Sequence, residues 1–527
     1  LTETEEILTA IVNKSEQMLQ TPTAQLGKIS IRVEPGAHTG IIKGLAEKDE
    51  TTAISAITGL DLGETIEIMY HLRFHGAIAT IRTQVPKKNP KIRTITDILP
   101  GANFHEREVA DLFGVTFRDH PDPARLVLPD DWPRDLFPLR KDADMKDIEK
   151  RMEHTAALED STQASNEGGL TTVIVGPQHP ALIEPEKFSL KVDGEIVKEV
   201  KPRIGYVHRG IEKAAEKLTY LKDIYLVERI CGICNTCHAA CFCQAVERIM
   251  GIEVPARARY LRTIVLELNR IQSHMLLLGH AGLEVGYESF FHYMWRDREI
   301  AMDIMESLTG NRVMASFATI GGVRRDLKED MVTKMMSRLG TLRKRMPFYR
   351  DLLESDPTLK MRTKDVGVLK REDALKLCVV GPVARGSDVM MDVRKDEPYA
   401  AYDKIPFKMI HYSEGDSWAR LMVRLDEIGQ SIDIMESALR DLPAGPYRVR
   451  VPRIVPEGEA ISRVEAPRGE LFYYVRSNGT AYPERVKVRT PTFANIPSFV
   501  RIAEGGNIAD IPASFVSLDP CFSCTDR

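Results

Sequence analysis

The sequence predicts an α+β protein in which a small N-terminal α/β module precedes a large, mainly helical domain with short strands. Three observations carry this. Between residues 141 and 170 the composition turns highly charged, then Ser/Gln/Asn/Gly-rich, with little to bury. Ahead of that segment, β-branched runs alternate with polar residues. Beyond it, long stretches repeat apolar residues at spacings of three and four. At 527 residues the chain has room for two or more sizeable cores.

Taken in order, residues 5–22 predict an amphipathic helix, and Ile29–Val33, Glu67–Phe74 and Ile78–Val85 predict strands. The stretch 104–138 opens Phe104-His105-Glu106-Arg107-Glu108 and continues through Leu126-Val127-Leu128-Pro129-Asp130-Asp131-Trp132. It has no cysteine pair and no glycine-rich phosphate cradle. It therefore reads as a docking surface, although His105 and Glu106 have the chemistry for acid–base work. The module is placed at 1–140 and a partly helical linker at 141–170, with the main domain at 171–527. There, Thr171–Val175 predicts a strand leading into Gly176-Pro177-Gln178-His179-Pro180-Ala181. Helices are predicted over roughly 210–250, 257–282, 289–310, 327–354 and 417–442. In the second, Leu261, Ile264, Val265, Leu268, Ile271, Met275 and Leu278 form one apolar stripe, the signature of a helix buried in a multi-helix core. Short strands return between 450 and 490. The chain contains no internal repeat, Walker loop, dinucleotide fingerprint or HExxH motif.

Composition excludes several classes. Apolar content of 43% and charged content of 28% are those of an ordinary globular protein. A net charge of −4 with no Lys/Arg-rich block gives no field for nucleic acid, so no nucleic-acid partner is expected. No apolar run approaches the ~18 residues of a membrane span, so any membrane link is expected through partners. The acidic start, Leu1-Thr2-Glu3-Thr4-Glu5-Glu6, lacks the order of a signal peptide. Five of the eight cysteines fall between Cys231 and Cys243, a distribution suited to metal ligation in a reducing compartment rather than to a disulfide framework.

The chemistry concentrates in two pairs, Cys231-Gly232-Ile233-Cys234 and Cys521-Phe522-Ser523-Cys524. Four thiolates make a soft donor set suited to nickel, iron or zinc. A structural zinc, a redox metal and a thiol switch all remain open on spacing alone. Structural zinc usually clips a short excursion, whereas these pairs lie nearly three hundred residues apart. The second pair is followed only by Thr525-Asp526-Arg527, as if the chain had been trimmed after the site was filled.

Further residues set these pairs in a pattern: Arg203-Ile204-Gly205-Tyr206-Val207-His208-Arg209-Gly210-Ile211-Glu212-Lys213 upstream of Cys231, Glu184 before it, and Ala466-Pro467-Arg468-Gly469 before the terminal pair. Together they resemble the large subunit of [NiFe] hydrogenases, specifically the energy-converting, membrane-associated branch related to respiratory complex I. Residues 171–527 resemble that subunit and its complex I homologue. Residues 1–140 resemble a small hydrophilic complex I subunit fused ahead of it, and the fusion is most similar to formate hydrogenlyase catalytic subunits. Quinone-reducing relatives share Gly176-Pro177-Gln178-His179-Pro180-Ala181 and the His208-Arg209-Gly210 run, but lack the metal-binding cysteines and carry a His-Gly pair where this chain has Glu184.

The resemblance implies that Cys231 and Cys521 are terminal nickel ligands and that Cys234 and Cys524 bridge nickel to an iron bearing CO and CN ligands. It implies that Cys521 or Arg468 serves as base, Arg468 first as an electrostatic guide, and that Glu184 relays protons. Glu212 would bind a nearby magnesium or iron. At the histidine of the common pattern this chain has Arg527, however, so Glu212 has an arginine or Lys213 as the alternative partner. Cys237, Cys241, Cys243 and Cys378 read as buried packing. His238 and His274 sit on helical faces able to approach the site, while His179 and His208 read as shaping the fold. The expected function is reversible proton reduction to hydrogen, with electrons from [4Fe-4S] clusters on a small partner subunit. Further expected partners are membrane-embedded complex I-like subunits, ferredoxin-like or polyferredoxin carriers and a C-terminal maturation protease, at the cytoplasmic face of the membrane. The alternatives are a complex I-type oxidoreductase subunit acting on a quinone or other acceptor without the Ni-Fe centre, and a zinc-stapled scaffold.

Overall fold

The computed structural model describes residues 23–25, 28–152, 166–167, 169–179 and 182–527. The predicted 5–22 helix and most of the predicted linker lie outside these residues. The protein is a mixed α/β structure with an N-terminal sheet module and a large helical domain.

The first sheet contains β1 (Thr23–Gln25), β2 (Lys28–Arg32), β3 (Ala53–Asp61), β4 (Thr65–Phe74) and β5 (Ala77–Pro86) in the order β1-β2-β5-β4-β3. β2 runs parallel to β5, which requires a crossover, and α1 (Ala37–Lys48) lies within it. The strand β3 escapes sequence reading because all nine residues of Ala-Ile-Ser-Ala-Ile-Thr-Gly-Leu-Asp are buried. A strand covered on both faces has no reason to alternate. One face packs on Ile41, Ile42 and Leu45 of α1 and on Val109, Leu112 and Phe113 of α2 (Asn103–Phe113). The other presents Ala56, Leu60, Met69 and Ile78 to Ile461, Phe472 and Tyr474 of the large domain. A short parallel pair, β6 (Lys91–Arg93) and β7 (Thr116–Arg118), flanks α2, and α3 (Met145–Met152) begins the linker.

The expected docking surface at 104–138 requires correction at its start. His105 is buried against the Phe493 ring, and Glu106 is buried, accepting the Ile95 N–H at 2.8 Å. This face of α2 docks the module onto its own large domain.

An antiparallel sheet of β8 (Asn166–Glu167), β9 (Leu170–Val175), β10 (Lys187–Asp193) and β11 (Ile196–Arg203) opens the large domain. The predicted 210–250 helix is three: α4 (Ile211–Ala215), α5 (Tyr220–Glu228) and α6 (Asn235–Met250). The second break, residues 229–234, presents the first cysteine pair. The core is built on α7 (Ala256–Glu284), packed by α8 (Glu288–Thr309) and later by α14 (Ser417–Arg440). Between them come a two-stranded ribbon, β12 (Ala318–Thr319) and β13 (Gly322–Val323), then α9 (Glu329–Ser355) and the short helices α10 (Pro357–Thr363), α11 (Arg371–Lys376), α12 (Pro382–Arg385) and α13 (Val393–Asp396).

The final sheet, β14 (Gly458–Ala466), β15 (Gly469–Ser477) and β16 (Pro483–Arg489), is an antiparallel meander. Its last strand alternates cleanly: Val486 and Val488 enter the large-domain core, while Arg485, Lys487 and Arg489 point toward the N-terminal module. The chain ends with α15 (Pro491–Ala503), α16 (Ile511–Ser517) and α17 (Phe522–Asp526). Among the described residues, no helix is long and apolar enough to cross a membrane.

Candidate metal centre

Both cysteine pairs sit where a loop turns into a helix. Cys231 follows α5, and Cys234 is the residue before α6; Cys521 is the residue before α17 and Cys524 lies within it. The pairs meet sulfur to sulfur: Cys231 Sγ lies 3.5 Å from Cys521 Sγ, and Cys234 Sγ lies 3.4 Å from Cys524 Sγ. The sulfurs of Cys231, Cys234 and Cys524 all lie within 4.8 Å of one another. All four cysteines are buried, at 1–4% exposure. Sulfurs at these separations suit a shared ion, since Zn–S bonds of ~2.3 Å place tetrahedral sulfurs just under 4 Å apart.

The Cys231 thiol is held well below the usual thiol range, chiefly by hydrogen bonding from Cys234, then from Cys521 and Cys524, with the Arg468 charge adding to it. Ile233 N–H donates to the same sulfur at 3.3 Å. Cys234, Cys521 and Cys524 are pushed up instead, chiefly because each donates its thiol proton in a hydrogen bond to Cys231, with burial and the charge of Cys231 adding to it.

Arg468 is buried beside this cluster, with Nε donating to the Asp519 carbonyl at 2.8 Å and Nη2 paired with Asp519 Oδ1 at 2.7 Å. Its loop is placed by glycine. Gly469 has φ +129°, and a Cβ there would stand 2.8–2.9 Å from the Val380–Gly381 backbone. The glycine of Pro467-Arg468-Gly469 is what lets this loop lie flat on that chain. Glu184 accepts the Ser523 N–H at 2.7 Å and also the Ser523 hydroxyl, so its carboxylate touches the turn between Cys521 and Cys524. On its outer side, Pro177, Gln178, Ile183 and Glu184 line an open cavity of about 380 Å³.

Other predicted residues fall differently. Glu212 is surrounded by Arg485 Nη2 at 2.7 Å, Lys487 Nζ at 3.3 Å, Arg527 Nε at 3.4 Å and the Val488 N–H at 3.1 Å. A hard metal ion there would face three side-chain cations, so the structure places Glu212 among arginines and a lysine rather than in a metal shell. His238 approaches the sulfurs, with Nε2 3.7 Å from Cys524 Sγ and Nδ1 2.7 Å from the Tyr473 hydroxyl; burial pushes it down to about 4. His274 instead meets Glu427 at 2.9 Å. His208 Nδ1 meets the Asp526 carbonyl at 2.7 Å, tying the tail down. Cys237 and Cys241 are pushed up to about 12 by burial, and Cys378 to about 11, in keeping with packed thiols. Sequence reading passed over Asp519, Ser523, Thr490 and Thr492. Thr490 donates to the Cys524 carbonyl at 2.8 Å, and Thr492 Oγ1 accepts the Cys521 N–H at 3.2 Å. Only the adjacency of Asp519 to the second pair and the position of Ser523 within it signalled any of them.

The respiratory-chain NADH dehydrogenase 30 Kd subunit family matches residues 31–149, and the 49 Kd subunit family of the same enzyme matches residues 284–455 and 452–527. The C/D subunit of the Phocaeicola vulgatus NADH-quinone oxidoreductase is 35% identical over 97% of this chain and 100% of its own length. The chain belongs to the fused C/D family of complex I-type oxidoreductase subunits. Formate hydrogenlyase subunit 5 of Escherichia coli is 37% identical over 85% of this chain and 79% of its own. The nickel-dependent hydrogenase family matches residues 209–287. A chain of the membrane-bound sulfane sulfur reductase, an archaeal respiratory membrane complex, superimposes with a TM-score of 0.66 at 33% identity, covering 69% of this chain and all of that one.

These matches correct the expected activity. The relatives that cover 94–97% of the chain, through both modules, are C/D subunits of NADH-quinone oxidoreductases, whereas the formate hydrogenlyase subunit covers 85% of it and the nickel-dependent hydrogenase family model matches only residues 209–287. The hydrogen-evolving assignment is overturned, and the oxidoreductase assignment stands. The expectation rested on the four cysteines and Glu184, and a ligand set shows that a site can hold a metal more securely than it shows which reaction the chain performs.

Proposed function

We propose that the chain is the fused C/D-type subunit of a membrane-associated, complex I-type oxidoreductase that passes electrons from an iron–sulfur partner to a quinone or another acceptor. The observation that carries this is the end-to-end match, through both modules, to C/D subunits of NADH-quinone oxidoreductases. Membrane attachment comes through membrane-embedded complex I-like partners, and [4Fe-4S] clusters reside on a neighbouring subunit. Val313, exposed beside Gly232 of the Cys231 turn, gives that neighbour an apolar point of contact.

The sulfurs of Cys231, Cys234 and Cys524 fit a thiophilic ion, with Cys521 Sγ 3.5 Å from Cys231 Sγ, and nickel leads because the nickel-dependent family matches the segment holding Cys231 and Cys234. Cys231, Cys234, Cys521 and Cys524 would hold it, and a bound ion of this kind supplies a redox or Lewis-acid centre. The chain's own residues do the rest. Arg468, fixed by Asp519, keeps a positive charge beside the sulfurs. Glu184 bridges the cysteine turn and the outer cavity, and its carboxylate is placed to pass a proton between Ser523 and solvent. α5, α6 and the terminal turn exclude water from the sulfurs.

The test is made on the intact complex, purified from its host. Reduction of quinone or a dye acceptor should depend on this subunit, and a thiophilic metal present in the wild type should be lost in Cys231→Ser. A complex that releases hydrogen from reduced viologen and reduces no acceptor would overturn the reading.

A further inference from the structure

Five ionisable side chains from four separate segments converge in the interior between the modules. Glu108 comes from α2 of the N-terminal module, Glu212 from α4, Arg485 and Lys487 from β16, and Arg527 from the residue after α17. Glu108 Oε1 pairs with Arg527 Nη2, and Glu108 Oε2 pairs with Lys487 Nζ at 2.5 Å. Glu212 takes Arg485, Lys487 and Arg527 Nε at 2.7, 3.3 and 3.4 Å. All five are buried, at 7% exposure or less in their side chains. Three cations face two carboxylates, so each carboxylate is indispensable to the balance.

Arg527 itself is bound on every side. Its guanidinium lies 5.1 Å from the Phe493 ring centroid, Nη1 donates to the Thr525 carbonyl at 2.7 Å, and its carbonyl accepts from the Arg209 N–H at 3.0 Å. Its backbone has φ +51°, a conformation that a non-glycine residue holds only when its surroundings impose it. The Arg527 N–H donates to the Ser523 carbonyl at 3.2 Å, so the clamp acts directly on the turn between Cys521 and Cys524.

We propose that Glu108 is a positioning residue for the terminal cysteine turn: through Arg527, the N-terminal module holds Cys521 and Cys524 against Cys231 and Cys234. The fused module thereby acts as a keystone for a site to which it contributes no ligand. The geometry carries this independently of what the sulfurs bind. Only the metal-retention arm of the test rests on the proposed thiolate site.

The experiment uses the intact complex and compares wild type with Glu108→Gln, an isosteric loss of charge, and with Glu108→Asp, which keeps the charge. Val109→Ala serves as a control that damages the same helix by cavity formation. Amide exchange is read separately in peptides from α2 and from residues 518–527. Glu108→Gln should speed exchange in the 518–527 peptide by about 10-fold or more. Glu108→Asp should restore most of that protection, and Val109→Ala should change it by less than about 2-fold. Metal loss to a chelator should follow the same order. Tail exchange in Glu108→Gln within about 2-fold of wild type, or an equal loosening in Val109→Ala, would overturn the proposal. Should Glu108→Gln fail to fold, Arg527→Met decides. A loosened tail with α2 protection intact supports the clamp, and an unchanged tail overturns it. Tail loosening without metal loss would leave the clamp standing and count against the thiolate site alone.

Discussion

Asp519→Asn separates charge from shape at the edge of the sulfur cluster. The substituted amide oxygen can still accept from Arg468 Nη2, and the Asp519 carbonyl still accepts from Nε, so the hydrogen bonds survive and the negative charge alone is removed. Two unit charges about 4 Å apart attract by about 4 kcal/mol at an effective dielectric constant of about 20. Arg468 and Asp519 are both buried, so the guanidinium that remains has no solvent to replace its partner. Removing one member of such a pair costs about 3–5 kcal/mol. Because the hydrogen bonds survive in Asp519→Asn, the loss falls at the lower end, about 3 kcal/mol. Because this segment leads directly into Cys521, the cost should appear as easier opening of the tail, by roughly 10²-fold at about 1.4 kcal/mol per decade. Iodoacetamide alkylation of Cys521 and Cys524 in chelator-stripped protein, followed by mass spectrometry, measures that opening. Arg424 Nε also lies 3.9 Å from Asp519 Oδ2, so pairing Asp519→Asn with Arg468→Met removes the nearer of two orphaned charges and should recover part of the loss. Alkylation accelerated by less than about 3-fold, or a double variant no better than the single, would show that the pair does not hold the tail.

Glu184→Gln should leave metal content and fold unchanged while slowing acceptor reduction by about 10²-fold, checked by steady-state turnover of the purified complex. Gly469→Ala forces a Cβ onto the Val380–Gly381 backbone at a left-handed φ, and should lower stability to urea by about 2–4 kcal/mol with loss of the bound metal. Burial alone pushes the Asp223 carboxyl up to about 8, and its oxygens have no hydrogen-bond partner among the described residues. The folded chain therefore holds a proton there that the unfolded chain releases near pH ~4. The stability tied to that proton is complete below pH ~4, declines above it and is lost as pH rises through about 8. Asp223→Asn should accordingly exceed wild type in urea stability by about 2–4 kcal/mol at pH 7 and match it below pH ~4.

Much of the architecture was legible where periodicity is one-sided. The strands of residues 65–74 and 77–86 and the helices of residues 256–284, 288–309, 329–355 and 417–440 lie close to their predicted bounds, because each buries a regular stripe or face. The pattern failed where burial has no side, as in β3, and where a functional turn interrupts an apolar run, as at residues 229–234. The cysteine pairs announced themselves by spacing, and their sulfurs meet at 3.4–3.5 Å. The reaction was misread because the four cysteines were taken as the mark of one chemistry, and a donor set by itself does not name a reaction.

By itself, then, the sequence determined the α+β class, the main helices and the four thiols that belong together. Periodicity and CxxC spacing are local quantities, written within a few residues of one another. Tertiary structure alone decided the electrostatics around those thiols. It set Asp519 against Arg468, surrounded Glu212 with cations and turned Glu108 inward to Arg527. Glu108 and Lys487 lie 379 residues apart in the chain, and no sequence period spans that distance. A charge finds its partner only when the fold removes both from water, since exposed charges so far apart are screened within about 10 Å by salt.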